Sequence, residues 1–372
     1  MKEKLRLKNF GPIKDVEIEL NLINVFIGDQ GTGKSTVSKL YALIYNYAYY
    51  DIFDIKAKDT HDLNTLKFFR YLELFGLTNY LHNNTEIIFN SKRFNFEFRE
   101  GVVKTMHPEL YKFSFPEMPE KLKDFFLGLD YIPAERAFVS VLADALFALN
   151  EMRTKLPTLF NRFGNKYSSA RKEKLIWEYK HLLGADFSHN SGVDSIITNT
   201  GKVLPFSDAS TGMQNTMPML VVFDSVVEKI MPKENTSPNS LLVIEEPELN
   251  LFPETQKKVV DYIISKNLDK GRFKTRMIVN THSPYILTSL NNLMYAFNIG
   301  KKHFENVNKI LEEKYWLNPS NVSAYKFLSN GRCEDIVDRD ESLIKAEKID
   351  EASVLINKEF DNLMNIELGI KA

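Results

Sequence analysis

The chain has 372 residues, with 48 Lys plus Arg against 49 Asp plus Glu and a formal net charge of −1. That length is enough to bury a full core, as one large domain or two ordinary ones. A composition of 44% hydrophobic and 26% charged residues excludes a disordered, collagen-like or rod-like chain, and the charge balance confines any nucleic-acid surface to a local patch.

Cys333 is the single cysteine, so no intrachain disulfide forms, in keeping with a reducing compartment. No stretch reaches the roughly 18 apolar residues of a membrane span. Met1 to Leu20 alternates charged and apolar residues and lacks the apolar stretch of a signal peptide. The expectation is a soluble, cytoplasmic protein with no membrane partner.

In chain order, Lys4 to Phe10 and Val16 to Leu20 read as strands joined by a Gly11-Pro12 turn. Leu22 to Ile27 is a short apolar strand, and Lys34 to about Tyr50 a helix. Thr85 to Phe89 and Arg93 to Arg99 predict a hairpin, and His107 to Pro119 a loop. Helices are expected from about Ala134 to Arg153 and from Ser168 to Leu183, then a hairpin of Val193 to Thr198 with Lys202 to Phe206. From Thr211 to Ile230 a long helix follows. Strands at Leu241 to Ile244 and Arg276 to Asn280 then alternate with helices at Pro253 to Lys266 and Pro284 to Asn298. That alternation implies a mostly parallel sheet covered on both faces.

Four segments carry chemistry. Gly28-Asp29-Gln30-Gly31-Thr32-Gly33-Lys34-Ser35 matches G-x-x-x-x-G-K-[ST] between an apolar strand and a helix, the context of a phosphate-binding loop. Its glycines let backbone N–H groups close around phosphate oxygens, and the helix dipole favours the anion. Lys34 reaches the β/γ-phosphates and the Ser35 hydroxyl ligates Mg²⁺. Glu245 and Glu246 follow the buried strand Leu241 to Ile244, at the sheet edge where open α/β folds bind ligands. Glu245 is placed to hold Mg²⁺ and Glu246 to polarise an attacking water. His282, at another strand end and before Pro284, is placed to reach a terminal phosphate. Ser210-Thr211-Gly212-Met213-Gln214 has the residues of a helix start open to an anion, and taken alone is an ordinary one.

Together and in this order, these segments resemble the ABC-type ATPase heads, and within them the RecF, SMC and OLD-nuclease branch. The resemblance rests also on Asn9-Phe10-Gly11-Pro12-Ile13, Tyr131-Ile132-Pro133-Ala134-Glu135-Arg136, Glu245 to Pro253 and Thr281 to Pro284, and spans about Met1 to Leu290. It implies an α/β fold: an ABC-ATPase head with a mostly parallel central sheet flanked by helices, an N-terminal antiparallel β-subdomain and an inserted lobe of helices and hairpins. The expected division is an ATP-binding core of residues 1–50 and 190–330, an inserted lobe of residues 51–189 and a helical tail of residues 331–372. The resemblance makes Gly28, Gln30, Gly31, Thr32, Gly33, Lys34, Ser35 and Thr36 the Walker A loop, with ATP and Mg²⁺ as cofactors. It makes Glu245 the Walker B acid, Glu246 the catalytic glutamate and His282 the switch histidine. Ser210, Thr211, Gly212 and Gln214 fall in the signature, which in this family contacts ATP bound to the other protomer. A head-to-head homodimer, or a higher oligomer, around sandwiched ATP is implied.

Three departures stand out. Glu245 replaces the commoner Asp, and Met213 replaces the second signature glycine. The glutamine that such heads carry between Walker A and the signature is missing, since the chain holds only Gln30, Gln214 and Gln256. Slow hydrolysis is expected, with Glu135 or Arg136 as substitutes for the glutamine. Phe10 and Lys14 are candidates for the adenine.

The biological role rests on resemblance alone. OLD nucleases append a Toprim domain where Asp338 and Asp340 lie, but the end reads as one amphipathic helix with Ile349, Val354, Leu355, Phe360 and Leu363 recurring. An in-chain nuclease is therefore the minor alternative. A standalone head resembles the ATPase subunits of anti-phage systems such as PARIS and Septu, whose effector, often a nuclease, is a separate chain. The alternative is a RecF-like repair ATPase clamping duplex DNA, with Arg171, Lys172, Lys174, Lys270, Arg272, Lys274 and Arg276 as its basic patch.

Overall fold

A computed structural model describes residues 3–53, 61–106, 128–142, 156–231, 238, 240–269, 271–345, 358 and 364. The chain opens with an antiparallel hairpin, β1 (Glu3–Phe10) and β2 (Ile13–Leu20). β3 (Ile23–Gly28) follows and leads into α1 (Lys34–Phe53) and α2 (His61–Leu74). The chain then returns to the hairpin: β4 (Leu81–Asn90) pairs with β1, and β5 (Asn95–Arg99) and β6 (Val102–Met106) extend the sheet in the order β2-β1-β4-β5-β6. Their alternation of buried Ile87, Phe89, Phe96 and Phe98 with more exposed neighbours is the period of two that a sheet covered on one face demands.

β7 (Gly128–Ile132) crosses to the central sheet. After it come α3 (Ala137–Leu142), α4 (Thr158–Ala170), β8 (Ile176–Trp177), α5 (Lys180–Leu183), β9 (Ala185–Asn190), β10 (Val193–Thr198) and β11 (Val203–Pro205). The last four strands make a small antiparallel sheet, β11-β10-β9-β8. The rest of the core is α6 (Thr211–Val227), β12 (Ser240–Glu245), α7 (Pro253–Asn267), a two-residue hairpin of β13 (Leu268–Asp269) and β14 (Arg272–Phe273), β15 (Arg276–Thr281), α8 (Pro284–Gly300), α9 (Phe304–Ile310) and β16 (Val322–Phe327). β17 (Cys333–Asp335), β18 (Val337–Asp338) and β19 (Leu343–Ile344) are short.

The central sheet has the order β17-β16-β3-β15-β12-β7, parallel throughout except for β17. Both faces are buried. Leu242, Ile244, Met277 and Val279 face a core under α6, α7 and α8. Leu241, Val243, Ile278 and Phe26 face a second core shared with α1, α2 and the antiparallel sheet. All carboxyl ends of the parallel strands therefore emerge at one edge, which is where the chemistry-bearing loops lie.

Several expectations need correction. The helix expected from Ser168 to Leu183 is broken: α4 ends at Ala170, Ile176–Trp177 is a strand, and only Lys180–Leu183 is helical again, as α5. Trp177 and Phe187 pair there in register and are both buried, so tertiary burial overrides local helical preference. α4 begins well before the expected Ser168, after Pro157, whose fixed extended backbone suits a helix entry. The helix expected from Ala134 to Arg153 is a 3-10 turn at Ala134–Arg136 followed by Ala137–Leu142, and residues 143–153 lie outside the described residues. Strands from within residues 51–189 join the N-terminal sheet (β4 to β6) and the central sheet (β7), while β8 and β9 pair on towards β10 and β11. Residues 331–345 hold three short strands, and the amphipathic helix around Ile349 to Leu363 lies outside the described residues. Among the described residues no helix is long and apolar enough to cross a membrane.

Candidate functional site

Gly28–Thr36 forms the tight loop between β3 and α1 that the motif predicts. Gly28 has φ +150°, and a Cβ there would lie 2.3 Å from the Phe327 carbonyl oxygen. Gly33 has φ +101°, and its Cβ would strike Ile13 at 2.5 Å. Any side chain at either position would push the loop off the sheet. Thr32 Oγ1 donates to the Asp29 carbonyl at 2.8 Å, and the first hydrogen bond into α1 runs from Val37 N–H to the Gly33 carbonyl at 3.0 Å. The N–H groups of Lys34, Ser35 and Thr36 precede that bond and are the donors a helix N-terminus offers an anion. Gln30 and Gly31 are exposed at the loop tip, while Thr32, Lys34 and Thr36 are buried and Ser35 half-buried.

Lys34 Nζ donates to the carbonyls of Gly28 at 2.7 Å and Asp29 at 2.8 Å, which leaves the third N–H for a ligand. Burial pushes this ammonium below its ordinary pKa, against the pull of Glu246, Asp29, Glu248 and Glu245. A phosphate arriving here replaces lost hydration with charge-assisted hydrogen bonds.

β12 ends at Glu245, which is 5% exposed. Tyr131 Oη donates to its Oε1 at 2.7 Å, and the Ala134 N–H lies 3.4 Å from Oε2. Burial first, then Glu245, raises the Tyr131 pKa well above the ordinary phenol range, so it stays a donor. Glu246 turns the chain with φ 45°, a left-handed conformation that costs about 1 kcal/mol or more for a residue with a Cβ. Its N–H donates to the Asn280 carbonyl at 2.8 Å, locking β12 to β15 at this bend. The Glu246 carboxylate is half-buried and 3.6 Å from His282 Nε2. Burial raises its pKa above the ordinary carboxylate range, His282 opposing, which suits a group that must accept a proton near neutrality.

Arg136 is the central residue that sequence reasoning misassigned. It is fully buried, with Nη1 donating to the Glu245 carbonyl and Nη2 to the Glu246 carbonyl, both at 2.6 Å. Nη1 also reaches the Pro133 carbonyl at 3.1 Å, and Nε the Asn215 carbonyl at 2.9 Å. Burial lowers its pKa to about 10. With its donors so engaged, Arg136 clamps the backbone of both glutamates to α6 and does not replace the missing glutamine. Exposed Glu135 instead lines a 660 Å³ cavity that also touches Lys39 and Glu245. Phe10 is no adenine contact either: it is buried against the Tyr80 ring at 5.9 Å.

Three more residues went unread in the sequence. Glu248 Oε1 accepts from Thr281 Oγ1 at 2.7 Å and from the His282 N–H at 2.8 Å, so it fixes the loop that carries His282. Ser283 caps α8 by accepting from the Tyr285 N–H at 3.2 Å and donates to Gln256 Oε1 at 2.6 Å. Asn280 Oδ1 accepts from Ser38 Oγ at 2.7 Å, tying β15 to α1 behind Lys34. Only the Glu-Pro-Glu spacing hinted at Glu248; the partners of the others are far apart in sequence.

Ser210 caps α6, its Oγ 3.4 Å from the Met213 N–H, and Gln214 Nε2 donates to the carbonyls of Ser207 at 2.8 Å and Ala209 at 2.9 Å. Thr211 is exposed, and a Cβ on Gly212 would lie 2.7 Å from the Asn250 carbonyl oxygen. The segment lines a 360 Å³ hollow with Asn250, Leu251 and Phe252, and no residue of Gly28–Thr36 is among the described residues lining it.

The donor set fits Mg²⁺ with a nucleotide. Ser35 offers a hydroxyl and Glu245 a carboxylate with one loosely held oxygen, both hard ligands. The acids of the C-terminal segment are engaged locally: Asp335 pairs with Arg339 at 2.8 Å, and Asp338 accepts from the N–H groups of Asp340 and Glu341. Among the described residues no group of three or more His, Cys, Asp or Glu could hold a metal.

A family model described as AAA ATPase domain matches residues 1–131 and 82–287. The chain belongs to the AAA ATPase domain family. The matched span holds the phosphate loop, both glutamates and His282 of this ATPase domain. No curated protein matches it. Among solved structures, the chain is similar to the SMC head domain from Thermotoga maritima, with 12% identity, 90% of this chain and 98% of that chain covered and a TM-score of 0.40. It is also similar to an SMC head bound to the C-winged helix domain of ScpA, with 12% identity, 90% and 96% coverage and a TM-score of 0.40.

Proposed function

We propose that the chain is an ABC-type ATPase head that binds ATP with Mg²⁺, hydrolyses it to ADP and phosphate, and closes head-to-head on a second copy. One observation carries the reading. Glu246, strained and half-buried, stands 3.6 Å from His282 at the sheet edge where Lys34 keeps one N–H unassigned. Lys34 and the N–H groups that open α1 hold the phosphates, and Ser35 and Glu245 hold the metal. Mg²⁺ when bound neutralises charge on the β- and γ-phosphate oxygens. Glu246 orients the attacking water and takes its proton on a carboxylate oxygen. His282 donates towards the terminal phosphate, its ring kept in place by the Glu248 grip on its own N–H.

Ser210, Thr211, Gly212 and Gln214 act on the nucleotide of the second copy, as in the heads that the motif set resembles. Phe252, 77% exposed beside them, suits a contact between copies. The output is a separate effector chain, as in the anti-phage ATPases that the motif set resembles, rather than a DNA clamp. Two arginines of the candidate basic patch are held in structural ion pairs, buried Arg171 with Asp194 at 2.6 Å and partly buried Arg276 with Glu3 at 3.3 Å, which disfavours the clamp. Glu246→Gln tests the catalytic assignment. It binds ATP, stalls hydrolysis and elutes as a dimer with ATP in size-exclusion chromatography. Hydrolysis at the wild-type rate would remove Glu246 from the mechanism.

A further inference from the structure

Glu246 holds its place through its backbone. Its φ of 45° persists only where the surroundings impose it, since the residue carries a Cβ. The peptide groups on both sides are pinned. In the one before, the Glu245 carbonyl accepts from Arg136 Nη1 at 2.6 Å and the Glu246 N–H donates to the Asn280 carbonyl at 2.8 Å. The one after has no N–H, because Pro247 follows. Its carbonyl, that of Glu246, accepts from Arg136 Nη2 at 2.6 Å and from the Leu249 N–H at 3.1 Å. Two fixed peptide planes set φ and ψ, and these set the direction of the bond that carries the carboxylate. Arg136, from the turn after β7, bears on both planes.

The same guanidinium reaches α6. Nε donates to the Asn215 carbonyl at 2.9 Å, near the start of the helix. Asn215 Nδ2 donates to the Thr211 carbonyl at 2.9 Å, so the contact runs on to the exposed residue that opens α6. α6 also rests on the loop after Glu246, where Gly212 leaves no room for a Cβ beneath the Asn250 carbonyl. A guanidinium is planar and its donors point in fixed directions, so a shift of the Asn215 carbonyl is passed on to the two glutamate carbonyls. Breaking one of these buried bonds would leave a carbonyl short of a donor, which favours the parts moving together. We propose that Arg136 is a positioning residue that makes the catalytic placement of Glu246 depend on the start of α6. With Ser210 to Gln214 meeting the nucleotide of a second copy, as in the proposed function on which this role rests, engagement there sets the hydrolysis rate at the chain's own phosphate loop. The two sites of a closed dimer then act together.

Two measurements test this role. Arg136→Lys keeps the charge, but a single nitrogen cannot reach α6 and both glutamate carbonyls at once. Its affinity for a fluorescent ATP analogue, read at protein concentrations too low for dimers, stays within about twofold of wild type, while kcat falls about tenfold or more. The second measurement leaves Arg136 intact. Wild-type chain is saturated with excess Lys34→Ala, giving a mixed dimer in which one phosphate loop and the signature facing it are complete, but no nucleotide meets the α6 of the hydrolysing chain. That site turns over about tenfold more slowly than a site of the wild-type dimer. An unchanged kcat in Arg136→Lys overturns the proposal. So does a kcat that falls only in step with ATP affinity, or a mixed dimer with the wild-type rate per intact site. If Glu246→Gln hydrolyses ATP at the wild-type rate, the proposed function fails instead.

Discussion

The edge of the parallel sheet and the antiparallel sheet of β1, β2 and β4 to β6 are built on opposite principles. At the edge, a non-glycine residue with φ 45°, a half-buried carboxylate and a largely buried ammonium sit together, each unfavourable before a ligand arrives. Against the antiparallel sheet, Tyr47 of α1 and Phe68 of α2 pack with Phe94, Phe96 and Phe98 at ring centroids 5.1 to 6.4 Å apart. That cluster holds no titratable carboxylate or ammonium and gains from every contact. The difference teaches that strain at the candidate site is offset by close packing elsewhere in the molecule.

Mutations can break this contrast in order of size. Lys34→Ala removes the ammonium from the phosphate loop and lowers ATP affinity by about a hundredfold or more, while the melting temperature changes little; calorimetric titration decides. Phe96→Ala does the reverse. It opens a cavity beside Phe68 and Tyr47 and costs about 3–5 kcal/mol in denaturant unfolding, with ATP affinity of the folded protein unchanged. Glu248→Ala frees the loop of His282 and lowers kcat about tenfold, with KM for ATP retained; a matching rise in KM would mean the loop holds substrate instead.

The smallest effect is thermal. The folded pKa of Glu246 is raised by burial, so its contribution to stability is present below the ordinary carboxylate pKa and lost as pH rises through the raised value. Above that value the buried charge destabilises, and Glu246→Gln raises the melting temperature by about 1–2 °C near pH 8. Below the ordinary carboxylate pKa, where both states are protonated, the difference vanishes. A melting temperature that falls on substitution would show that the carboxylate is held by attraction rather than penalised by burial.

The edge was legible in the sequence because its signals are local. G-x-x-x-x-G-K-S places the loop, lysine and hydroxyl within eight residues, and a buried strand ending in Glu245 and Glu246 needs no distant partner to be recognised. Elements bounded by Pro or Gly next to apolar runs, such as α7, α8, β12 and β15, were found within a few residues. The segment around Tyr167 to Leu183 was misread because what decides it is remote. Arg171, expected on a basic surface, pairs inside with Asp194, which also accepts from Tyr167 and contacts His189. Charge runs look alike whether their members face water or a buried carboxylate.

The sequence by itself determined the alternation of strands and helices, the phosphate loop, and the two glutamates at a strand end, because each is encoded by neighbours along the chain. Only the tertiary structure decided that Arg136 clamps both glutamate carbonyls and that Glu248 holds the His282 loop. Those arrangements depend on which of many donors and acceptors meet across the sheet, and that choice is made by packing over separations of up to more than a hundred residues.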